Sequence, residues 1–518
     1  MCGITFTTDL NEIKSSIEHR GPDSTTLKSF NYQTDRISMI FNRLSITGVS
    51  NGEQPFYKDE VYVLCNGEIY NHQKLKKDFG LMCSTDSDCE VILQLYLQGG
   101  RSIDTLNYIQ GEYAFILFDL QSGLVIYSRD IAGVRPLFVS TYNGNLILCS
   151  ELKGFKHPEY ASQVTPSKHH IYNLYTKTLS SKDIFRYGRG DIRESLIQSV
   201  KSRIHSEVPI GFLLSGGLDS SLVLSIASRF IHDKITVFTT GFSMDAPDVI
   251  ASKKVIEYLE SKYGKKYIHH IYIPTIEEGI ESIPNVIESI ESYDTTTVRA
   301  STPMWLLAKY IKEKTNVKVV LSGEGSDEIN GSYLYFHYAP TEKEFDDERR
   351  KLLDNIHFFD GLRADRTISA FGLELRVPFL DTFVITDSLN SSEIYSSMKE
   401  SGIEKFHIRQ LFEGYLPNEL LWRTKAAFSD AVSFNWKASI QKYAKNLNIQ
   451  GGNDYSHLNP VSDEDKWYRL IFENYYPNCG QVIPYKWLPN WVDTNGEPSA
   501  TVLEIHSDKM LQQRDLEM

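Results

Sequence analysis

The sequence has 518 residues, of which 41% are hydrophobic and 23% are charged, and its formal net charge is -13. A chain of this length exceeds what one hydrophobic core supports, so we expect two or three domains. The acidic balance argues against nucleic acid as a partner, because a surface of this sign does not attract phosphate backbones. No run of about eighteen apolar residues occurs, which argues against a membrane-spanning helix and a membrane partner.

Cysteines are sparse, and no pair of them has the spacing of metal ligands. Such usage is typical of a reducing compartment rather than of a disulfide framework. The first residues also lack the basic and apolar segments of a signal peptide, so we expect a cytoplasmic protein. The six cysteines are Cys2, Cys65, Cys83, Cys89, Cys149 and Cys479.

The chain begins with Met1-Cys2-Gly3-Ile4, which places a thiol next to the N-terminus. If Met1 is removed, Cys2 carries both a nucleophile and a base, because a free α-amine has a pKa near ~7.7–8.0. An amine-assisted terminal nucleophile is a known solution to nucleophilic catalysis. Judged on these residues alone, a frayed terminus without a catalytic role is the commoner alternative.

The sequence up to about residue 180 predicts many short strands separated by turns. A helix is predicted near Asp88–Leu97 from the spacing of its apolar residues. This mixture favours an α+β layered domain, followed by a polar linker from Ser180 to Gly190. The strands are predicted at Ile37–Phe41, Val61–Cys65, Ala114–Phe118 and Leu124–Tyr127, and the turns at Asn51-Gly52, Asn66-Gly67, Gln121–Gly123 and Asn143–Asn145.

After the linker, apolar strands alternate with helical patterns, which favours a parallel α/β sheet. Beyond about residue 400 the pattern is mostly helical and rich in Tyr and Trp. The strands are predicted at Pro209–Leu214, Ile235–Gly241 and Val317–Leu321, and the helices at Ser220–Phe230, Val249–Tyr263 and Pro303–Lys314.

A glycine- and serine-rich segment, Ser215-Gly216-Gly217-Leu218-Asp219-Ser220-Ser221, lies directly between a predicted strand and a predicted helix. Its glycines allow a tight turn and a close approach to a ligand, and its hydroxyls lie beside unpaired helix N–H groups that form an anion site. Asp219 fits a phosphate site if a divalent cation bridges it to the phosphates. The segment resembles the signature of ATP pyrophosphatases, and a plain glycine-rich turn is the alternative.

A second loop, Ser322–Glu328, follows the predicted strand Val317–Leu321 and carries three carboxylates. Ligands of open α/β sheets bind at the carboxyl ends of the strands. Carboxylates crowded at such a place repel one another unless a metal or a cationic group is present. For this segment alone, a solvated acidic turn is the alternative.

Ordered motifs along most of the chain together resemble the glutamine-dependent asparagine synthetase family. In the first part the motifs are Cys2-Gly3-Ile4, Arg20-Gly21-Pro22-Asp23, Asn42–Ile46, Asn66–Asn71, Ser87–Glu90 and Arg129–Leu137. In the second part they are Ser215–Ser221, Tyr293-Asp294, Arg299–Pro303, Ser322–Glu328, Arg376–Asp381 and Arg423-Thr424-Lys425.

The resemblance implies a class II glutamine amidotransferase domain over residues 1–185 and an ATP-pyrophosphatase synthetase domain over residues 190–510. The first domain would be an α+β sandwich of the N-terminal nucleophile hydrolase type, with αββα layers. The second would be an α/β domain with a parallel sheet and a helical C-terminal part.

In the first domain the resemblance implies that Cys2 attacks the side-chain amide of glutamine and that its own amine transfers the proton. Asn66 and Gly67 resemble an oxyanion hole, which supplies an amide donor and a backbone N–H. Arg43 resembles the residue that binds the glutamine carboxylate through its planar fork, although a structural ion pair would otherwise explain it. The residues implied to bind glutamine are Arg43, Leu44, Ser45, Ile46, Thr47, Asn66, Gly67, Glu68 and Asp88.

In the second domain the resemblance implies that ATP activates the β-carboxylate of aspartate as an acyl-adenylate. Asp219 and Asp327 resemble ligands of Mg²⁺, and Glu324 resembles the residue needed for formation of the intermediate or for ammonia attack. The residues implied to bind ATP or pyrophosphate are Leu214, Ser215, Gly216, Gly217, Asp219, Ser220, Thr240, Ser322, Gly323 and Lys425.

The implied activity is that of a ligase that converts aspartate, glutamine and ATP to asparagine, glutamate, AMP and pyrophosphate. Ammonia must move between the two sites unprotonated, so we expect an apolar passage between them. The resemblance leaves room for a homodimer. One departure is Asn51-Gly52-Glu53, which stands where a shorter and less acidic turn is common in the family.

Three other functions stay open at this point. An amidotransferase that acts on a different carboxylate is poorly separated by sequence from one that acts on aspartate. A β-lactam synthetase-like cyclase needs no ammonia, and the presence of Cys2, Arg43, Asn66 and Asp88 weighs against it. A non-catalytic regulatory homologue would have lost the 215–221 segment or Lys425, and both are present.

Overall fold

The computed structural model describes residues 1–14, 17–423, 435–450, 455 and 457–494. Its N-terminal part is built mainly from strands, with two α-helices, α1 (His72–Phe79) and α2 (Val91–Gln98). The strands are β1 (Gly3–Thr7), β2 (Ser24–Tyr32), β3 (Asp35–Arg43), β4 (Phe56–Lys58), β5 (Val61–Ile69), β6 (Gly111–Asp119), β7 (Leu124–Arg129), β8 (Phe138–Ser140), β9 (Ile147–Cys149), β10 (Ser162–Gln163), β11 (Lys168–Asn173) and β12 (Thr178–Asp183).

These strands form two antiparallel sheets, in the orders β10-β8-β9-β1-β3-β2 and β12-β11-β7-β6-β5-β4. Alternate side chains, such as Phe6 and Ile116, point between the sheets and form one apolar core. The other face of the second sheet packs against α1 and α2, and the outer face of the first sheet packs against helices of the C-terminal part. The predicted α+β sandwich is confirmed.

Two local predictions in this part are wrong. Asn66 and Gly67 lie inside β5 rather than in a turn, because they pair with Ala114 and Tyr113 of β6. The predicted linker begins inside β12, whose residues are all exposed, so a polar edge strand was mistaken for a linker. The prediction also omitted α1, in which Leu75 is the one buried residue.

The C-terminal part contains a parallel sheet in the order β15-β14-β13-β16-β17. The chain places two strands on one side of β13 and then two on the other side. Such a switch point between β13 and β16 opens a crevice at the carboxyl ends of the strands. The predicted parallel sheet is confirmed, with strands β13 (Ile210–Leu213), β14 (Ile235–Thr240), β15 (Tyr267–Tyr272), β16 (Val319–Leu321) and β17 (Glu374–Arg376).

Helices surround this sheet and form most of the chain beyond it. The helix predicted from Pro303 begins already at Thr295, because Asp294 caps it by accepting a hydrogen bond from the Thr297 N–H at 2.9 Å. No helix within the described ranges is long and apolar enough to cross a membrane. The helices are α3 (Ile192–Arg203), α4 (Leu218–Ala227), α5 (Pro247–Tyr263), α6 (Ile276–Ile290), α7 (Thr295–Lys314), α8 (Ser326–Asn330), α9 (Glu342–Asn355), α10 (Asp360–Ser369), α11 (Thr382–Leu389), α12 (Glu393–Ser401), α13 (Phe406–Leu411), α14 (Asn418–Leu421), α15 (Trp436–Asn446) and α16 (Asp463–Tyr475).

Buried ion pairs join the two parts of the chain. Arg20 contacts Glu151 at 2.7 Å and Asp365 of α10 at 2.9 Å, and Arg203 of α3 contacts Glu112 of β6 at 2.8 Å. These side chains are almost inaccessible to solvent. Breaking one such pair leaves an uncompensated buried charge, so the pairs fix how the two parts fit together.

Candidate active sites

Cys2 immediately precedes β1 and lies beside the segment that follows β3. The Leu44 N–H donates to Cys2 Sγ at 3.4 Å, and the thiol lies 3.7 Å from the Leu44 carbonyl. Pairing of Gly3 with Asn42 fixes this position. Burial raises the pKa of the Cys2 thiol to about 11, so the thiol is protonated at neutral pH and needs a base to become a nucleophile.

Met1 is buried between the two parts of the chain. Its amine donates to the carbonyl of Leu373 at 3.2 Å, and its sulfur contacts the guanidinium of Arg135. While Met1 is attached, the nitrogen of Cys2 is a peptide nitrogen, so the expected base becomes available only when Met1 is removed. Burial lowers the pKa of the Met1 amine to about 5, so this amine is neutral at pH 7.

The Asn66 side chain is fully buried on β5, and neither polar atom of its amide has a hydrogen-bond partner among the described residues. Leaving a buried polar group unpaired costs about 1–3 kcal/mol. A ligand would remove that cost. The neighbouring Gly67 has a φ of 152°, and a Cβ there would lie 2.1 Å from the Glu112 carbonyl oxygen, so only glycine fits.

Arg43 ends β3 and directs its guanidinium onto the segment that follows. Its Nη2 donates to the Gly48 carbonyl at 2.6 Å, and its Nη1 pairs with Glu53 at 2.9 Å. The structure therefore confirms an ion pair at Arg43, with a partner that the sequence did not suggest. The next four residues, which were all expected near glutamine, alternate in burial: Leu44 and Ile46 are buried, and Ser45 and Thr47 are partly exposed.

Two buried carboxylates, Glu68 and Asp88, lie close to each other on the same side of the sandwich. Glu68 accepts a hydrogen bond from the Thr47 hydroxyl at 2.9 Å, and Asp88 accepts one from the Ile69 N–H at 2.6 Å. Burial and the charge of Asp88 raise the pKa of Glu68 well above its usual value, and burial raises the pKa of Asp88. A ligand ammonium group would offset both effects, so the pair suits the α-amine of an amino acid.

A cavity of about 240 Å³ opens at the carboxyl ends of β13 and β16. This is the switch point of the parallel sheet, where open α/β sheets bind ligands. The residues predicted from the two loops therefore converge on one site. Those that line the cavity are Leu214, Ser215, Gly217, Asp219, Ser220, Thr240, Ser322, Gly323, Glu324 and Asp327.

The two loops touch each other at the floor of the cavity. A Cβ at Gly323 would lie 2.6 Å from the backbone nitrogen of Ser220, so glycine permits this close approach. The hydroxyls of Ser215 and Ser220 are 3.1 Å apart. Gly217 precedes α4 and has no side chain to cap the helix, which leaves the first N–H groups of α4 suited to an anion.

Gly216 was predicted to bind ATP or pyrophosphate, and it is not among the residues that line the cavity. Gly216 has a φ of 74°, and a Cβ there would lie 2.5 Å from the backbone nitrogen of Ser252. Glycine is therefore needed here for the turn and for the packing against α5, and its contact with the phosphates stays a prediction. Lys425 lies outside the described residues.

Lys405 is a candidate that the sequence analysis missed. It is buried directly before α13, and its ammonium group donates to Asp219 and to Asp327, each at 2.6 Å. Burial lowers the pKa of Lys405, but the two carboxylates outweigh that effect and raise it. The sequence did indicate that the crowded carboxylates need a cation, but no motif marks Lys405, which lies 78 residues beyond Asp327.

The same carboxylates could also hold a divalent cation. No group of three or more His, Cys, Asp or Glu side chains in the described part of the chain could hold a metal ion. A cation bound by Asp219 and Asp327 would therefore take its other ligands from phosphates and water, as magnesium usually does in nucleotide sites.

Glu324 lines the cavity and pairs with Arg363 at 2.7 Å, and Arg363 also contacts Asp360 at 2.7 Å. Burial raises the pKa of Glu324 to about 7, although the Arg363 guanidinium acts in the opposite direction. A carboxylate with such a pKa can act as a base near neutral pH. The Nε of Arg363 and the hydroxyl of Thr296, which also lines the cavity, are buried without a partner among the described residues.

The surroundings of Cys2 and this cavity border the same buried apolar cluster. Met1 and Leu44 belong to the same buried apolar cluster as Leu214 and Leu321, and Cys2 packs against that cluster. Leu214 lines the cavity, and Leu321 directly precedes the Ser322 loop. Both candidate sites therefore border apolar core side chains of the same cluster.

A family model described as asparagine synthase matches residues 191–355 and 339–481, and a model described as glutamine amidotransferase domain matches residues 1–191. The chain is 37% identical over 534 residues to a probable glutamine-hydrolysing asparagine synthetase of Acanthamoeba polyphaga mimivirus, covering 94% of this chain and 95% of that one. It is 37% identical over 563 residues to the glutamine-hydrolysing asparagine synthetase of Gallus gallus, and the match covers 97% of this chain and 99% of that one. Among solved structures, a glutamine phosphoribosylpyrophosphate amidotransferase from B. subtilis matches with a TM-score of 0.30 and 14% identity, covering 52% of this chain and 81% of that chain. The chain belongs to the asparagine synthase family and carries a glutamine amidotransferase domain at its N-terminal end.

Proposed function

We propose that this chain is a glutamine-hydrolysing asparagine synthetase, a ligase that forms asparagine, glutamate, AMP and pyrophosphate from aspartate, glutamine and ATP. The observation that carries the proposal is the apolar cluster that both Cys2 and the cavity border, because ammonia stays a nucleophile only while unprotonated and apolar surroundings favour that form. In this proposal residues 1–185 form the amidotransferase domain and residues 190–510 form the synthetase domain.

Glutamine hydrolysis begins when Cys2 Sγ attacks the side-chain amide carbon. The α-amine of Cys2, available after removal of Met1, takes the thiol proton and later gives it to the departing ammonia. Water then hydrolyses the thioester and releases glutamate.

The negative charge that develops on the amide oxygen is stabilised by the Asn66 amide and the Gly67 N–H. The unpaired, buried Asn66 side chain supports this role. Arg43 binds the α-carboxylate of glutamine, and Glu68 and Asp88 bind its α-amine. Leu44, Ser45, Ile46 and Thr47 form the wall between these charged groups.

In the second site a β-carboxylate oxygen of aspartate attacks the α-phosphorus of ATP and displaces pyrophosphate. Ser215, Gly217 and Ser220 bind the phosphates together with the first N–H groups of α4. Lys405 and Lys425 balance the charge of the pyrophosphate as it leaves. Leu214, Thr240, Ser322 and Gly323 surround the adenosine.

Ammonia then attacks the activated β-carbonyl, and AMP leaves. Glu324 takes the proton that the attacking nitrogen loses, which its pKa of about 7 permits. Asp219 and Asp327 would hold Mg²⁺. When bound, the ion neutralises charge on the phosphates and so assists departure of pyrophosphate.

Aspartate fits beside Glu324, where Arg363 supplies positive charge for a carboxylate. Arg363 Nε and the Thr296 hydroxyl, which have no partner among the described residues, support this placement because each can donate a hydrogen bond to a substrate oxygen. Asp360, which contacts Arg363, supplies a negative charge for the α-amine of the substrate.

The proposal includes a cytoplasmic location, which the six free thiols support because they persist in a reducing compartment. It also includes a homodimer, for which the family resemblance leaves room. Light scattering on the purified protein tests the oligomeric state.

Cys2→Ala is the variant that separates the two half-reactions. We expect asparagine formation from glutamine to fall to background, while asparagine formation from added ammonium salts stays near the wild-type rate. Cys479→Ala, a buried cysteine outside both sites, serves as the control and should retain both activities. Glutamine-dependent synthesis by Cys2→Ala at an appreciable rate would refute the role of Cys2.

A further inference from the structure

The carboxylate of Glu53 lies on the guanidinium of Arg43. Glu53 Oε1 is 2.9 Å from Arg43 Nη1, and the same carboxylate accepts hydrogen bonds from the hydroxyls of Ser24 at 3.0 Å and Thr26 at 3.2 Å. A Cβ at Gly52 would lie 2.9 Å from Arg43 Nη2, so glycine lets the chain pass close over the guanidinium. The fold therefore places a carboxylate of its own on Arg43.

Glu53 follows Asn51-Gly52 in the segment after β3. Its side chain is 49% exposed, whereas that of Arg43 is 7% exposed. The carboxylate therefore approaches the buried guanidinium from the solvent side. An ion pair with one exposed partner is weak, so Glu53 can leave Arg43 at a small cost in free energy.

Both terminal nitrogens of the Arg43 guanidinium already have hydrogen-bond acceptors within the protein. Its Nη2 already donates to the Gly48 carbonyl at 2.6 Å, and its Nη1 is occupied by Glu53. A substrate carboxylate that uses Nη1 must displace Glu53 or share the group with it. Sharing brings two negative charges within a few ångströms of each other, which is unfavourable.

We propose that Glu53 is an internal competitor that occupies the carboxylate-binding position on Arg43 and thereby lowers the affinity of the amidotransferase site for glutamine. The inference rests on the proposed function, in which Arg43 binds the α-carboxylate of glutamine. Glu53 acts through Arg43 and has no contact with the reacting amide, so its effect falls on binding of glutamine and not on the chemical step.

The test compares glutamine binding with and without the charge of Glu53. In the Cys2→Ala background, where glutamine is not consumed, calorimetry gives the Kd for L-glutamine before and after Glu53→Gln. We expect about threefold to fivefold tighter binding in the Glu53→Gln variant, the size of effect that an exposed ion pair produces. With Cys2 intact, KM for glutamine should fall by the same factor while kcat for glutamate release stays unchanged.

A second ligand isolates the α-carboxylate. L-glutaminamide, which carries a neutral amide in place of that carboxylate, should have the same Kd with and without the Glu53→Gln substitution. Asp78→Asn removes one negative charge from an exposed ion pair on α1 and is the matched control. It should leave the Kd of both ligands unchanged.

Unchanged binding of L-glutamine in Glu53→Gln would overturn the inference, because Glu53 would then not compete with the substrate. Weaker binding would also overturn it, because Glu53 would then hold Arg43 in its binding position. Equal tightening of L-glutaminamide would also overturn it. Arg43→Met separates this failure from failure of the proposed function. If Arg43→Met does not weaken glutamine binding, the proposed carboxylate site is wrong; if it does and Glu53→Gln has no effect, only the competition is wrong.

Discussion

At the scale of single residues, the side-chain amide of Asn66 is the clearest sign of a functional role. Its amide is fully buried on β5 without a partner among the described residues, an arrangement that costs free energy in the folded protein. A ligand oxygen held next to Cys2 would give the amide its missing partner. The position is thus better explained by catalysis than by stability.

We expect Asn66→Ala to lower kcat for glutamine hydrolysis by about 10²–10³-fold, the usual cost of removing one oxyanion donor. Because the amide makes no hydrogen bond within the described structure, its loss should not reduce stability through a broken bond. Steady-state glutamate release and chemical denaturation measure the two effects. Asn31→Ala, at an exposed position of β2, should change neither, and a nearly normal kcat for Asn66→Ala would remove Asn66 from the mechanism.

At the scale of elements, the nucleotide cavity depends on three separate segments that meet at Lys405. The loops after β13 and β16 supply Asp219 and Asp327, and the residue before α13 supplies the ammonium group between them. Without that cation the two like charges would repel each other. Lys405 therefore holds the two loops together, and in the proposed function it also provides charge for the phosphates.

We expect Lys405→Met to lower aspartate-dependent pyrophosphate release by about 10²-fold or more, because charge stabilisation at a leaving group is worth at least this much. Glutamate release from glutamine, measured in the absence of ATP, should persist. Lys399→Met removes a lysine of α12 that donates to two backbone carbonyls and should leave pyrophosphate release intact. Equal activities of the two variants would contradict the role given to Lys405.

The sequence predicted elements well where local pattern decides structure. The apolar runs that became β3, β6 and β13 were read correctly, because alternation and bounding turn residues are local signals. Asn66-Gly67 was misread as a turn because the pairing of β5 with β6 overrides the turn preference of these residues. The exposed edge strand β12 was misread because edge strands tolerate polar residues that linkers also contain.

The candidate site residues also differ in whether a local sequence pattern could identify them. Asp219 and Glu324 were found because they belong to compact motifs directly after strands, and the switch-point rule brings such motifs together. Lys405 and Glu53 were not assigned a role, because their partners lie elsewhere in the chain and only the folded structure brings them into contact. Contacts between distant segments leave no local signature in a single sequence.

At the scale of the whole molecule, the two parts of the chain are joined by buried charges as well as by apolar contacts. Glu112 of β6 accepts from Arg135 at 2.9 Å, from Arg203 at 2.8 Å and from the backbone N–H of Val377 at 3.0 Å. Glu207 of the second part accepts from the Gly48 N–H at 2.8 Å, beside the proposed glutamine site. These contacts hold the two sites in one fixed arrangement.

We expect Glu112→Ala to lower the free energy of unfolding by about 3–5 kcal/mol, because it removes a buried carboxylate that two buried guanidinium groups share. Because Glu112 joins the two parts of the chain, the fraction of glutamine nitrogen that reaches asparagine should also fall. Denaturant titration gives the first quantity, and the ratio of asparagine formed to glutamate released gives the second. Asp78→Ala, which breaks an exposed pair on α1, is the control and should alter neither.

The central claim is that nitrogen released at Cys2 is consumed by an acid activated in the cavity between β13 and β16. The most direct measurement supplies glutamine labelled with ¹⁵N in its side chain, together with ATP, Mg²⁺, aspartate and an excess of unlabelled ammonium. We predict that AMP and pyrophosphate accumulate in equal amounts with asparagine and that most of the asparagine carries the label. Formation of ADP, failure to form asparagine, or label diluted to the level of the free ammonium pool would contradict the account.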